Sequence, residues 1–245
     1  LFGSAIMAIG VVLPFFWPTV TALFATSTLV GCGFMLYNIA LQNVAGFMGR
    51  PEDRAWHFNL LSLGFSVSSL LGPLLAGVGI DVLGHRHAFL TISLIPLIPL
   101  AVLGSSLLKL PRPSPQAART GKQSLLDLLR DRRLSWLFLL TTLLTTGWEL
   151  FGFMIPVYGT SIGLSATEVG LVMSAFSAAL IVIRVILPVF IKRFDPWLMI
   201  TTTLLYAAVI FSLFPVAHSA LALGVLSFIL GLGLGCPQPL VVSLV

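Results

Sequence analysis

One carboxylate stands alone in a long apolar segment, and it is the residue best placed to do chemistry. Glu149 lies in the sequence TTGWELFGF, about 13 residues into a predicted membrane span and so about 20 Å from the start of that span. A carboxylate at this depth costs several kcal/mol if it faces lipid, so it faces water, finds a partner or is protonated. Two interpretations are open: a site for a proton or a cationic substrate, or a structural hydrogen bond between helices.

Arg184 is the other charged residue inside a predicted span. Counted from the opposite end of its span, near Glu168, it lies about 24 Å deep, which is a different depth from Glu149 and argues against a direct ion pair. A guanidinium in this position can line a cavity and bind an anionic substrate, or extend its charge to lipid phosphates along its long side chain. The sequence leaves both interpretations open.

Side-chain amides are the third kind of candidate. Asn38 and Gln42 are four residues apart and share one face of a helix, with Asn43 beside them, and Gln238 lies between two prolines in the last span. Amides within a span either contact a substrate in a cavity or hydrogen-bond one helix to another. Both roles stay open, and the candidate cavity-lining residues are Asn38, Gln42, Asn43, Arg184 and Gln238.

The sequence lacks the residue patterns that metal binding, disulfide formation, nucleotide binding and hydrolysis require. Asp81 and the run His85–His87 resemble a metal cluster, but they occupy a turn between spans, where we expect them to cap helices and contact lipid headgroups. Cys32 and Cys236 lie among glycines in apolar runs, without disulfide or metal spacing. The chain has no glycine-rich nucleotide loop and no suggestive spacing of Ser, His and acid. We therefore expect no metal, no cofactor, and neither an ATP-driven pump nor a membrane hydrolase.

The composition is that of a membrane protein. Hydrophobic residues make up 58% of the chain and charged residues 9%, whereas soluble domains carry about 25% charged residues. The net charge of +5 does not indicate nucleic acid, because the charges lie in loops beside apolar runs, where topology and anionic lipids account for them. Membrane lipids are the expected partners of these loops.

Apolar runs separated by short polar turns predict eight spans. Residues 1–49 hold no charge, and as one helix they would run about 73 Å, more than twice the hydrocarbon core, so they are two spans that break at Phe16–Thr19. The predicted spans cover residues 1–16, 19–45, 58–80, 88–108, 136–158, 169–190, and two more that divide residues 196–245 near Pro215–Ser219.

The segment 109–135 cannot lie in hydrocarbon, and it divides the chain. It carries seven of the 13 Lys and Arg residues, and if the spans alternate, the loops on its side hold eleven of the 13. Basic loops resist translocation, so this side is predicted to be cytoplasmic. The leucine pattern from Ser124 to Leu134 predicts a short interfacial helix, with a disordered linker as the alternative. Residues 1–108 and 136–245 then form parts of an N-terminal and a C-terminal half, with four spans each.

A weak internal repeat supports two halves. At an offset of 200 residues, Gly31-Cys32-Gly33 aligns with Gly231-Leu232-Gly233, and Asn38 aligns with Gln238. Together with the central loop, this alignment favours two parallel repeats, an arrangement found in transporters.

The third span carries a glycine-proline motif. Gly72-Pro73, with Gly64 before and Gly77 after, is followed by Asp81 and the run Gly84–Phe89. Small residues let another helix approach closely, and proline bends a helix. The pattern resembles the antiporter-type motif in the fifth helix of the major facilitator superfamily, and the loop before it resembles that family's loop between helices four and five. The chain is then a fragment that maps onto the third to tenth helices of a twelve-helix member.

The resemblance has two departures. Ser27 stands where the family's fourth helix has an arginine, and Pro188 and Lys192 alter a second family motif that keeps Arg193. The family moves small molecules by rocking two six-helix halves about a central cavity, and members with the glycine-proline motif are often proton-driven exporters.

The resemblance implies an all-α membrane bundle of two parallel six-helix repeats, here with about eight helices. We expect a monomeric exporter in the bacterial inner membrane that exchanges a small-molecule solute for protons, with Glu149 as the proton-coupling or substrate site. An importer or uniporter on the same fold is the alternative within transport. From another class, the alternatives are an integral membrane enzyme and a scaffold that transports nothing.

Overall fold

The computed structural model describes residues 1–47, 54–105, 132–190 and 196–235. Throughout these ranges the chain forms helices joined by turns, without a β-strand, which confirms the predicted all-α class. The helices are α1 Phe2–Phe16, α2 Val20–Phe47, α3 Arg54–Ser93, α4 Leu97–Gly104, α5 Arg132–Ser161, α6 Ala166–Phe190, α7 Pro196–Leu213 and α8 Ala220–Gly235, with a 3₁₀ turn at Phe214–Val216.

The predicted breaks between spans are confirmed at both ends of the chain. The first helix ends at Phe16 and the second begins at Val20, so the break falls on the expected aromatic and proline residues. In the last apolar run, the helix gives way to the 3₁₀ turn that contains Pro215 before α8 begins at Ala220. Within the described ranges, three helical stretches are long and apolar enough to cross a membrane: Val20–Gly46, Trp56–Gly104 and Ala166–Ile186.

The turn between the third and fourth predicted spans is sharper than expected. Helical geometry continues on both sides of a single residue, Gly84, which has φ 76° and ψ 160°. Side chains with a Cβ rarely adopt a positive φ, so glycine is required there. The chain folds back at this residue, because a Cβ built on Gly79 would lie 3.9 Å from the Cβ of Ala88.

The fourth predicted span is not one continuous α-helix. After α3 ends at Ser93, the backbone bonds tighten to a spacing of three residues, as in Leu94 N–H to Thr91 O at 3.2 Å, before α4 begins at Leu97. Pro96 has no N–H and cannot continue an α-helical ladder, which gives the physical reason for the interruption.

The described chain divides into two compact units. The first contains residues Leu1–Phe65 and Val78–Arg119, and in it α1 packs along α2 through small residues. A Cβ on Gly3 would lie 2.7 Å from the carbonyl oxygen of Gly33, so the two backbones are in direct contact. The hydroxyl of Thr26 adds a hydrogen bond of 2.9 Å to the carbonyl of Gly10.

The second unit contains residues Ser66–Gly77 and Thr120–Val245. Its core lies where α6 packs on α8 and where α5 packs on α6. The rings of Phe151 and Phe176 stack with centroids 4.2 Å apart, and Trp148 meets Phe176 edge-on at 5.2 Å. Leu223 and Leu230 of α8 are fully buried beside them. These aromatic contacts fix the rotation of α5 about its own axis.

Part of the prediction lies outside the described residues. The cytoplasmic position of the central segment, most of the interfacial helix predicted at 124–134, and the division of the chain into halves at 109–135 stay predictions.

Candidate functional site

The face of α5 that carries Glu149 is polar and exposed. Thr142, Thr145 and Thr146 precede Glu149 by seven, four and three residues, which places all four on one side of an α-helix. Each of these side chains is exposed in the structure. Within the described residues, the Glu149 carboxylate has neither a hydrogen bond nor an ion pair, so it is available to a ligand or a proton.

The other two faces of α5 have different characters. Phe151 and Ile155 are 3% exposed and pack in the core of the unit. Leu150, Met154 and Val157 are exposed but apolar, as expected for a surface in contact with lipid. Glu149 lies two residues from Phe151, roughly 200° around the helix, and so points away from the core. The helix therefore presents one buried face, one apolar exposed face and one polar exposed face.

The depth of Glu149 agrees with a position inside a membrane. α5 runs from Arg132 to Ser161, so Glu149 lies about 26 Å from its beginning and about 18 Å from its end. The three threonines were not recognised as candidates from the sequence. Their spacing relative to Glu149 was the available signal in the sequence. Threonine also occurs in membrane helices as a packing residue, so the spacing alone does not distinguish packing from a role in a polar face. The exposure of these side chains in the structure makes that distinction.

Arg184 occupies a different environment from Glu149. Its side chain is half-buried on α6, and its guanidinium donates a hydrogen bond to the hydroxyl of Ser66 in α3. It lies about 27 Å from the beginning of α6 at Ala166. This arrangement makes Arg184 part of the contact between α6 and the segment Ser66–Gly77, and any contact with a solute stays a prediction.

That segment of α3 joins α6 through a seam of hydrogen bonds. The hydroxyl of Ser177 donates to the carbonyl of Ser69 at 2.9 Å, and the hydroxyl of Ser174 donates to the carbonyl of Leu70 at 2.6 Å. In an α-helix the Ser69 carbonyl would accept from residue 73, but Pro73 has no N–H. Ser177 therefore supplies the hydrogen bond that the proline removes.

Close backbone contact accompanies these bonds. A Cβ on Gly170 would lie 2.5 Å from the carbonyl oxygen of Pro73, and a Cβ on Gly77 would collide with the carbonyl of Ala166. By contrast, a Cβ on Gly64 or Gly72 would meet no described atom within 4 Å. The packing role expected for these last two glycines stays a prediction.

The predicted amides are only partly brought together. The Gln42 amide donates to the Asn38 carbonyl oxygen on α2, as their spacing indicates, which satisfies one group of each side chain. Asn43 is exposed and lies five residues from Asn38, on another face of the helix. Gln238 lies outside the described residues. An apolar cavity of about 520 Å³ also opens between α1, α2 and α4, and none of these amides lines it.

Arg86, at the bend of α3, has a structural role. The Nε of Arg86 donates to the carbonyl of Phe15 at 2.8 Å, in the last turn of α1, and the guanidinium lies 4.9 Å from the centre of the Phe15 ring. Capping by this residue was predicted and is confirmed. Within the described residues, no group of three or more His, Cys, Asp or Glu side chains is placed to hold a metal ion.

Comparison with known families gives the fold its name. The sequence profile described as Major Facilitator Superfamily matches residues 1–245, the whole of the chain. Proteins of this family transport small solutes across membranes, and the apolar helices described above fit a multi-pass integral membrane protein. The chain belongs to the Major Facilitator Superfamily.

Proposed function

We propose that this chain forms part of a proton-coupled exporter, in which Glu149 binds the coupling proton and faces the solute pathway. The observation that carries the proposal is the exposed polar face of α5, where a carboxylate with no partner among the described residues lies beside three threonines. Protonation of Glu149 and binding of a solute would each change the relative stability of the inward-open and outward-open states. That difference in stability couples the proton gradient to export.

The free-energy cost of burying a charge in lipid favours a water-filled site for Glu149 over a lipid-facing one. A carboxylate inside the hydrocarbon core is expensive, and carboxylates in spans face bundle interiors or water-filled cavities. The stacking of Phe151 on Phe176 holds α5 in a rotation that separates Glu149 from the apolar residues Leu150 and Met154. We place the protein in the bacterial inner membrane as a monomer, with segment 109–135 in the cytoplasm.

The test is solute flux in vesicles that contain the full-length protein. A panel of cationic, anionic and neutral fluorescent solutes is loaded, and a proton gradient is imposed. We expect the gradient to accelerate flux of at least one solute in the wild-type protein, and Glu149→Gln to abolish this acceleration, because the amide cannot take up a proton.

Glu168→Gln is the matched control. Glu168 accepts a hydrogen bond of 2.8 Å from the backbone N–H of Ser165, and the Ser165 hydroxyl accepts one of 3.2 Å from the N–H of Glu168, so this acid caps α6. Glutamine can replace glutamate in such a capping box, so we expect gradient-driven flux to persist.

Gradient-driven flux that survives Glu149→Gln would remove Glu149 from the coupling step. Solute flux that does not depend on the proton gradient would favour a uniporter. Gradient-driven flux in the opposite direction would favour an importer. Turnover of a lipid without solute flux would favour a membrane enzyme.

A further inference from the structure

We infer that the polar face of α5 selects solutes bearing a protonated amine or guanidinium, whose N–H groups donate hydrogen bonds, over equally charged solutes that lack N–H donors. This inference rests on the proposed function, since it assigns a solute class to the face that carries Glu149. It follows from which hydrogen-bonding groups on that face are already used and which are free.

One threonine hydroxyl on this face already donates its hydrogen to the backbone. The Oγ1 of Thr146 donates to the carbonyl of Thr142 at 2.8 Å. A hydroxyl whose hydrogen is donated to the backbone offers only its oxygen lone pairs to a ligand. Towards the solute, the Thr146 side chain is therefore an acceptor.

A backbone carbonyl adds a further acceptor. Pro156 has no N–H, so the carbonyl of Gly152 lacks the partner that residue 156 would supply in a regular helix. A Cβ built on Gly152 would meet no described atom within 4 Å, so the space beside this residue is open. Gly152 lies three residues after Glu149, within one turn of the carboxylate.

The only charged side chain on the polar face of α5, within its described residues, is the acidic Glu149. From Ser135 to Ser161 the sequence of α5 contains no Lys or Arg, so Glu149 gives this stretch a net negative charge. Phe153 lies one turn beyond Glu149 and is 67% exposed, which offers a ring face to a cation. The Glu149 carboxylate, the Thr146 hydroxyl oxygen and a carbonyl without its usual partner together fit a cation that donates several hydrogen bonds.

A quaternary ammonium would gain only part of this interaction. It carries the same charge, but its methyl groups cannot donate to Glu149, Thr146 or the Gly152 carbonyl. Hydrogen bonds between charged partners are stronger than neutral ones. The preference therefore depends on the N–H groups and not on charge alone.

The test is isothermal titration of the purified full-length protein at neutral pH with two probes, phenethylammonium and phenethyltrimethylammonium. Both carry one positive charge and the same phenethyl group, and they differ only in the three N-methyl groups that replace the N–H groups. We expect the wild-type protein to bind the primary ammonium at least tenfold more tightly. Glu149→Gln should weaken both probes at least tenfold, because it removes the charge.

Pro156→Ala isolates the carbonyl, because it restores an N–H to pair with the Gly152 carbonyl and leaves Glu149 in place. We expect this variant to bind the primary ammonium severalfold more weakly, with the affinity for the trimethyl probe unchanged. Pro73→Ala is the matched control, a proline substitution in α3, and should keep the full preference.

Equal affinity for the two probes, or no binding of either, would overturn the inference. So would a preference that Glu149→Gln leaves intact. Gradient-driven flux of a solute without any preference for N–H donors would overturn this inference alone. A clear preference in the absence of gradient-driven flux would overturn the proposed coupling and leave the solute class standing.

Discussion

At the scale of single residues, the structure separates buried hydroxyls that are hydrogen-bonded from those that are not. Ser177 and Ser227 are both buried in the second unit. Ser177 donates to the Ser69 carbonyl, whereas the Ser227 hydroxyl has no hydrogen-bond partner in the described part of the chain. A buried polar group without a partner lowers stability, and one with a partner raises it.

The two serines therefore give opposite predictions. Ser227→Ala should leave the thermal unfolding midpoint of the detergent-purified protein unchanged or raise it, because it removes an unpaired hydroxyl. Ser177→Ala should lower stability by about 1 kcal/mol, because it strands the Ser69 carbonyl. Thermal unfolding followed by tryptophan fluorescence measures both. A marked loss of stability in Ser227→Ala would show that this hydroxyl has a partner.

Residue-level prediction from the sequence worked best where one residue type is improbable in its surroundings. Glu149 is visible as a candidate because a carboxylate is rare in an apolar run, and the contact between Asn38 and Gln42 follows from a spacing of four. The threonines near Glu149 were missed because their role depends on which side of α5 packs in the core. That orientation is set by Phe151 and Phe176, which are far apart in the sequence.

At the scale of helices, the glycine-proline motif of α3 is completed by residues of α6. Pro73 removes one backbone donor, and Ser177 replaces it from the neighbouring helix. Gly170 lets the two backbones approach closely enough for that hydroxyl to reach. The sequence indicates a bend and a small surface at Pro73, but it does not identify the helix that packs there, because that partner lies about 100 residues away.

A double-mutant cycle tests this relation between Pro73 and Ser177. Pro73→Ala restores an N–H that can pair with the Ser69 carbonyl, so the hydroxyl of Ser177 is no longer needed there. We expect Ser177→Ala to cost about 1 kcal/mol in the wild-type background and clearly less in the Pro73→Ala background. Thermal unfolding of the four proteins measures the coupling. Equal costs in the two backgrounds would mean that Ser177 acts independently of the proline.

Helix boundaries were predictable where charge, proline or aromatic residues mark them, as at Trp17-Pro18 and Pro215. The interruption near Pro96 was missed because the surrounding residues are continuously apolar, and hydropathy does not distinguish a tightened turn from a regular helix. The turn at Gly84 was predicted at the correct place but with too many residues. The sequence does not show that a single residue with a positive φ is enough to reverse the chain there.

At the scale of the whole molecule, the distribution of basic residues sets the predicted topology. Eleven of the 13 Lys and Arg residues lie in loops on the side of segment 109–135 if the predicted spans alternate. A membrane-impermeant thiol reagent added to intact cells should therefore label Ser161→Cys, at the end of α5, and spare Arg119→Cys until the cells are opened. Labelling of Arg119→Cys from outside intact cells would invert the topology.

The proposed coupling requires the polar face of α5 to line a water-filled cavity while its apolar exposed face meets lipid. In a protein whose native cysteines Cys32 and Cys236 are replaced, Thr145→Cys tests the polar face. Leu143→Cys tests the apolar one, because Leu143 lies seven residues before Leu150 and roughly 200° around the helix from Thr145. Both side chains are exposed in the structure, so they differ in the surroundings they meet and not in depth within the core.

The decisive measurement is the rate at which a water-soluble maleimide labels these two variants in membranes open on both sides. We expect fast labelling of Thr145→Cys that a bound solute slows, and little labelling of Leu143→Cys. Equal labelling of the two positions, or protection of Thr145→Cys with labelling of Leu143→Cys, would contradict a water-filled cavity on the polar face.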